Sequence, residues 1–320
     1  MEDAKDPMVE SFVELIRRAS TDLPADVEAA LQEARDREEP GSAAAGALDT
    51  ILENVAVARA NSTPVCQDTG VPIFYVHHAR ELSTRQIRTQ LEKAVAEATR
   101  RSYLRPNAVD PLTGRNSGNN LGVCFPTCHF EEWEDAGCGQ LIQVDLLLKG
   151  GGSENVGTQY KLPHAPLAAG RELEGVRRVV LDAVYQAQGK GCAPAVIGVA
   201  IGADRGTGYV HAKEQLFRPL GDANPVPELA TLEQRLLEEC NELGVGPMGF
   251  GGKTTVLGIK IGAYHRLPAC YFVSIAYMCW ACRRASLRLQ GNGACSERLN
   301  CVELVEGACP EPVEGEVEYR

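Results

Sequence analysis

Seven consecutive apolar residues, Ala195-Val196-Ile197-Gly198-Val199-Ala200-Ile201, constrain the fold of this chain more than any other stretch. Their number and composition predict a strand buried on both faces, since a half-wet strand alternates apolar with polar residues. Such a strand needs a layer of structure on each side of its sheet. The expected architecture is therefore α/β or α+β, a mixed sheet with outer helices. Strand order and subdomain boundaries stay open at this level.

The rest of the chain supplies the layers. Val9 to Arg18, Ala25 to Arg37 and Ala43 to Arg59 read as amphipathic helices, the third carrying Leu48, Ile51, Leu52 and Val55 on one face. Ser83-Thr84-Arg85-Gln86 has the form of a capping box and starts a helix running to about Arg101. Gly170 to Gln188 and Glu228 to Leu243 are further helices. Strands are expected at Ile73 to Val76, Gln140 to Leu148, Thr255 to Ile261 and Tyr271 to Tyr277. These elements group residues 1–290 as one domain, with a division into two subdomains left open. Residues 291–320 form an acidic, proline-bearing tail in which Val305-Glu306-Gly307 and Pro312-Val313-Glu314-Gly315 nearly repeat, and disorder is expected there.

Charge and cysteine content exclude some functions. A net charge of −11 argues against nucleic acid as a general partner, because neutralising phosphates needs clustered lysine and arginine. A small dianion could still bind in a local pocket of arginine, lysine or metal. The opening Met1-Glu2-Asp3-Ala4-Lys5-Asp6 is not a charged-then-apolar signal sequence. No apolar run approaches the ~18 residues of a membrane span. The chain thus reads as cytoplasmic, with no membrane partner. Twelve cysteines are many for such a chain. In a short secreted protein they would form a disulfide framework; here metal or cluster binding explains some, and burial as small hydrophobes the rest.

Val65-Cys66-Gln67-Asp68-Thr69-Gly70 sets a thiol, an amide, a carboxylate and a hydroxyl side by side. Each can bind a metal or a polar substrate. Pro64, Gly70 and Pro72 shape the stretch as a turn between a helix and a strand. Taken alone it reads equally as a polar loop around a buried cysteine. Arg105 precedes Pro106, which pushes it out of helical geometry. It is either a carboxylate clamp or a solvated surface arginine. Gly150-Gly151-Gly152 is either a backbone nest for an anion or a flexible loop. Gly246 to Thr255 resembles a phosphate loop but has Pro247 where a Walker A loop needs its first glycine, and a strand follows where a helix is required. An NTPase is excluded; Lys253, Thr254 and Thr255 remain possible carboxylate ligands. Cys279 and Cys282 have C-x-x-C spacing but no second ligand pair at zinc spacing, Cys124, Cys128 and His129 being the nearest and a poor candidate.

Three cysteines stand out by setting: Cys66 before Gln-Asp-Thr-Gly, Cys192 before Ala193-Pro194, and Cys279 before Trp280-Ala281 and the pair Arg283-Arg284. They lie 126 and 87 residues apart (192 − 66 and 279 − 192). No linear zinc motif has these spacings, but three loops converging on one point could. Together with Leu104-Arg105-Pro106-Asn107-Ala108, Gly150 to Asn155 and Gly246-Pro247-Met248-Gly249, these motifs make the chain resemble the α subunit, or N-terminal half, of the iron–sulfur hydro-lyases. Class I fumarases and L-tartrate dehydratases form that family. The resemblance runs from about residue 10 to 290.

The resemblance implies a fold of the iron–sulfur hydro-lyase α-subunit type, reversible hydration of fumarate to malate, and a 4Fe–4S cluster held by Cys66, Cys192 and Cys279. Three thiolates rather than four would leave one iron open as a Lewis acid, and a general base would handle the proton. It further implies that Gln67 and Asp68 contact substrate beside the first ligand, Asp68 as acid/base or orienting group. Arg105 would clamp a substrate carboxylate and Gly151 would lend a backbone N–H. The family often carries a histidine twelve positions before the third cysteine; Leu267 stands there, and His265 is the nearest histidine. A β subunit, in an α2β2 assembly, would complete the site around a small dicarboxylate. L-tartrate and mesaconate stay open as substrates. So do two readings without catalysis, a zinc- or disulfide-stabilised binding protein and a cluster-bearing sensor or scaffold.

Overall fold

The computed structural model describes residues 6–133, 141–291 and 299–305. Three helices open it: α1 (Pro7–Thr21), α2 (Ala25–Arg37) and α3 (Ala43–Asn61). Asp6 and Ser42 accept the N–H groups of Met8 and Ala45, satisfying donors that a helix start leaves unpaired. β1 (Val71–His78), α4 (Thr84–Arg100), β2 (Thr127–Glu132) and β3 (Leu141–Lys149) follow, and Ser83 caps α4 through the Gln86 N–H. Then come α5 (Gly151–Asn155), β4 (Thr158–Lys161), α6 (Leu173–Ala187), β5 (Ala195–Ile201), α7 (Arg205–Glu214) and α8 (Pro227–Glu242). β6 (Val256–Ala263), β7 (Phe272–Met278), β8 (Arg284–Gly291) and β9 (Leu299–Val305) complete the order.

The strands form two mixed sheets rather than one. The five-stranded sheet runs β2-β1-β3-β8-β9 and the four-stranded sheet β4-β7-β5-β6. β1 pairs parallel with β2 and β5 with β6; the remaining pairs are antiparallel. β5 is the seven-residue apolar run, buried throughout as expected. Its alternate residues serve different cores. Ile197, Val199 and Ile201 pack with α6 and α8. Val196 and Ala200 face a middle core that contains α2, α3 and the inner face of the other sheet at Ile73, Tyr75 and Leu147. A third core sets Phe12, Leu15 and Leu91 of α1 and α4 against Phe74, Val144 and Leu146. Each such side chain contributes about 1.5–3 kcal/mol by leaving water, so no position of β5 has room for a polar residue.

Gly198 shows how close the layers lie: a Cβ there would stand 2.0 Å from the Ala212 carbonyl oxygen on α7. Helix α7 itself has weak sequence signals because Gly206 and Gly208 interrupt it. Asp204 starts it by accepting the Gly206 and Thr207 N–H groups. β9 lies inside the span read as an acidic tail, and residues 292–298 and 306–320 of that span lie outside the described residues. Among the described residues no helix is long and apolar enough to cross a membrane.

Candidate metal and substrate site

The four-stranded sheet brings two distant cysteines to one end. Cys192 precedes β5 and Cys279 follows β7, and these strands are antiparallel with Val196 opposite Met278. The Trp280 N–H donates to the Cys192 carbonyl at 3.1 Å, tying the two turns. Cys192 adopts φ 56°, and a Cβ at Gly191 would lie 2.2 Å from the Tyr277 ring, so this turn is packed tightly. Cys66 arrives from the loop between α3 and β1. That loop is held by Asn54 Nδ2 donating to the Val65 carbonyl at 2.8 Å and by the Val65 N–H donating to the Ser20 carbonyl at 3.0 Å. All three thiols lie within one another's electrostatic reach. Burial pushes the Cys192 thiol up, and Cys279, Cys66 and Asp68 push it further. Burial likewise raises Cys279, with Cys66 adding to it and Arg283 opposing it.

Asp68 and Gly151 are brought together, but to each other. Asp68 Oδ1 accepts the Gly70 N–H at 3.0 Å and Oδ2 accepts the Gly151 N–H at 2.7 Å. The three-glycine stretch, read as a nest or a flexible loop, is the entry to α5, and a carboxylate suits that end. The Gly151 N–H expected to face substrate is therefore already given to Asp68. Gly70 (φ 76°) makes this possible, since a Cβ there would lie 2.6 Å from the Lys149 carbonyl carbon. Buried Thr69 accepts the Arg105 N–H and Asn107 Nδ2 through Oγ1, each at 3.1 Å. Arg105 Nη1 donates to the Gln67 carbonyl at 3.2 Å, and both residues are exposed. Asn120 fixes the Arg105 segment. Its Oδ1 accepts the Asn107 N–H at 2.6 Å and its Nδ2 donates to the Arg105 carbonyl at 2.8 Å.

Other candidates fall away from this point. His265 is exposed beyond the far end of β6, where the Tyr264 N–H bonds the Ile201 carbonyl. A full strand, roughly 20 Å, separates it from the cysteines. This corrects the expectation that it reaches the site within this chain. The phosphate-loop-like segment already has its anion: the Glu38 carboxylate accepts the Lys253 and Thr254 N–H groups at 2.8 and 3.0 Å. Cys282 is wholly buried in the middle core with Arg284 Nη1 at 3.8 Å.

The family model described as fumarate hydratase (Fumerase) matches residues 9–288. The chain belongs to this family. A Geobacillus stearothermophilus protein assigned to fumarate hydratase class I is 50% identical over 89% of the chain and 55% of its own length. The chain thus spans about half of that relative. The L(+)-tartrate dehydratase subunit alpha of Escherichia coli K12 is 31% identical over 88% of the chain and 89% of the relative.

For this Fumerase-family chain the donor set can be tested against an iron–sulfur cluster. Thiols are the cluster's usual ligands, and a cluster is wider than a single ion, so its thiolates stand further apart. Among the described residues no three His, Cys, Asp or Glu side chains are grouped to hold a single ion. Two buried cations, Lys149 and Arg283, act electrostatically on Cys279, which suits an anionic thiolate centre. The residues fit the group. Lys149 was missed in sequence because it reads as the end of an apolar strand. Its Nζ donates to Ser153 Oγ at 2.9 Å, and Ser153 Oγ to the Gly150 carbonyl at 3.0 Å, bracing the glycine turn. Burial pushes Lys149 down, with Glu154 opposing. Burial pushes Glu154 up, but Lys149 and Lys213 outweigh it and hold the carboxyl below its usual range. These three residues line a cavity of about 300 Å³ together with His129 and Tyr209.

Proposed function

We propose that this chain is the α-type subunit of a cytoplasmic hydro-lyase that interconverts fumarate and malate. Cys66, Cys192 and Cys279 would hold a 4Fe–4S cluster, and a second, β-type polypeptide would complete the site. The observation that carries the proposal is the meeting of these three thiols from separate loops beside Asp68 and near the exposed Arg105. Bound through three thiolates, such a cluster supplies an open iron able to polarise the substrate's hydroxyl and carboxylate. The chain's own residues do the rest of the positioning. Arg105 spends one guanidinium N–H on the Gln67 carbonyl, and its remaining donors suit a carboxylate of the substrate. Gln67 is exposed on the same edge and can hydrogen-bond the substrate. Both oxygens of Asp68 are engaged by backbone N–H groups, which favours an orienting role over proton transfer.

Fumarate is preferred over tartrate because the class I relative shares more identity than the tartrate dehydratase subunit. The E. coli relative's name as an alpha subunit supports a β partner. The test is iron and acid-labile sulfide per chain after anaerobic reconstitution, in wild type beside Cys66→Ser, Cys192→Ser, Cys279→Ser and Cys282→Ser. About four of each, lost in the first three variants and kept in the last, is expected for a cubane held by three thiolates. Fumarate hydration is then assayed with the β partner added. A cluster indifferent to these three cysteines, or zinc in its place, would sink the proposal.

A further inference from the structure

Arg283 heads the wholly buried side chains by size, at 1% exposure. It stands between the Cys279 turn and β8 and touches two other segments of the site. Nη1 donates to the Asp68 carbonyl at 2.7 Å. Nη2 lies 3.4 Å from where a Cβ would stand at Gly150, and Asp68 Oδ2 lies 3.2 Å from the same point. Gly150 thus lacks a side chain where the guanidinium and the carboxylate fill the space. Nε is buried and has no hydrogen-bond partner.

The next residue shows what a buried arginine ordinarily obtains. Arg284 is ion-paired with Asp26 and donates to the Phe217 carbonyl at 3.2 Å. Arg283 has no such carboxylate partner among the described residues; its one hydrogen bond from the side chain goes to a backbone carbonyl. A cation taken out of water is retained only where a counter-charge meets it. The Arg283 backbone N–H and Cys279 Sγ share the Ala281 carbonyl as acceptor, at 2.9 and 3.8 Å, while the guanidinium bonds the Asp68 carbonyl two residues after Cys66, so Arg283 joins two of the three thiol-bearing turns.

We propose that Arg283 is the fixed counter-charge of the three-cysteine centre, a positioning residue that holds the Gln67-Asp68 backbone to the Cys279 turn and raises the reduction potential of the cluster bound there. The inference rests on the three-thiolate centre proposed above. One-electron reduction of a bound cluster adds one negative charge to the centre. A guanidinium fixed nearby favours that state over the oxidised one. Lysine at the same position keeps the charge but not the two-sided fork.

The test is the midpoint potential of the reconstituted cluster in the full chain, titrated anaerobically with dithionite as electron donor. Iron and sulfide are counted on the same samples of wild type, Arg283→Met and Arg283→Lys. Arg283→Met is expected to disfavour reduction tenfold or more, a fall of about 59 mV or more for a one-electron couple. Arg283→Lys is expected to stay within threefold of wild type. A fully loaded Arg283→Met with an unchanged potential overturns the inference and leaves the three-thiolate centre standing. A wild type without iron and sulfide overturns both. If Arg283→Met does not fold or load, Arg283→Lys decides: a potential within threefold of wild type supports the charge role, whereas a tenfold shift or an empty but folded protein overturns it.

Discussion

The two ends of the four-stranded sheet are built from the same strands and do different work. Strand β7 has Cys270 before its start and Cys279 after its end. At the Cys270 end the chain turns through exposed residues: His265, Arg266 and Leu267 face solvent, and Arg266 caps the turn by donating to the carbonyls of Leu267, Pro268 and Cys270, each at 3.1 Å. At the Cys279 end the chain turns inward, next to buried Lys149 and Arg283 and the left-handed Cys192. The Cys270 end caps its turn through Arg266, whereas the Cys279 end sets a buried arginine nitrogen, without a hydrogen-bond partner among the described residues, beside the thiols. A buried cation without a carboxylate partner, set beside thiols from separate loops, marks where a ligand belongs.

The sharpest way to break this comparison is to exchange serine for cysteine at the two ends of β7. Cys279→Ser is expected to lose essentially all bound iron and sulfide after reconstitution, and Cys270→Ser to keep them; equal loss would erase the difference between the ends. Next in size is Asp68→Ala, which frees the Gly70 and Gly151 N–H groups. With the β partner present, kcat/KM for fumarate hydration should fall by two orders of magnitude or more, and urea unfolding should show a loss of about 1–2 kcal/mol. Asp68→Asn keeps an acceptor and should recover much of both; a variant as inactive as the alanine would instead point to proton transfer.

Thr69→Val deprives the Arg105 N–H and the Asn107 side chain of their acceptor. A destabilisation of about 1–3 kcal/mol is expected, with KM rising more than kcat falls. Glu154 gives a smaller, pH-dependent effect. Its carboxyl is held below the usual range in the fold, so its stabilisation is present above the unfolded carboxylate value and fades as pH falls through the folded one. Glu154→Gln should lower stability at neutral pH, and its difference from wild type in urea unfolding should close as pH falls from about 5 to about 3. The smallest effect belongs to the other end of the sheet: His265→Ala should leave cluster content and kcat/KM within twofold of wild type.

The elements set by local periodicity were legible in the sequence. The span read for α2 is the observed one, Ser83 caps α4, and β5 is buried at every position. What periodicity does not encode is pairing. The division into two sheets depends on β8 joining β3 rather than β7, and nothing in Arg284–Gly291 announces that choice. The three cysteines stood out because each sits at the end of an element, Cys66 and Cys192 near proline and Cys279 before Trp280-Ala281 and two arginines. The Asp68–Gly151 bond spans 83 residues, and only the assembled fold aligns its two ends. Arg283 was hidden differently: two adjacent arginines resemble solvated surface charge, yet the strand that follows carries both inside.

The wide spacing of the three thiols also orders events in time. From Cys66 to Cys279 is 213 residues (279 − 66), which a ribosome adding 5–20 residues per second translates in roughly 10–40 s. For the first 126 of those residues Cys66 has neither partner thiol, and until the last it lacks Cys279 and the strand pair that will present both. A nascent chain therefore cannot accept a group shared by all three until the end of β7 has emerged and docked on β5. For the cluster proposed above, delivery of iron and sulfur would be a step that follows folding, with Cys66 open to oxidants in the meantime.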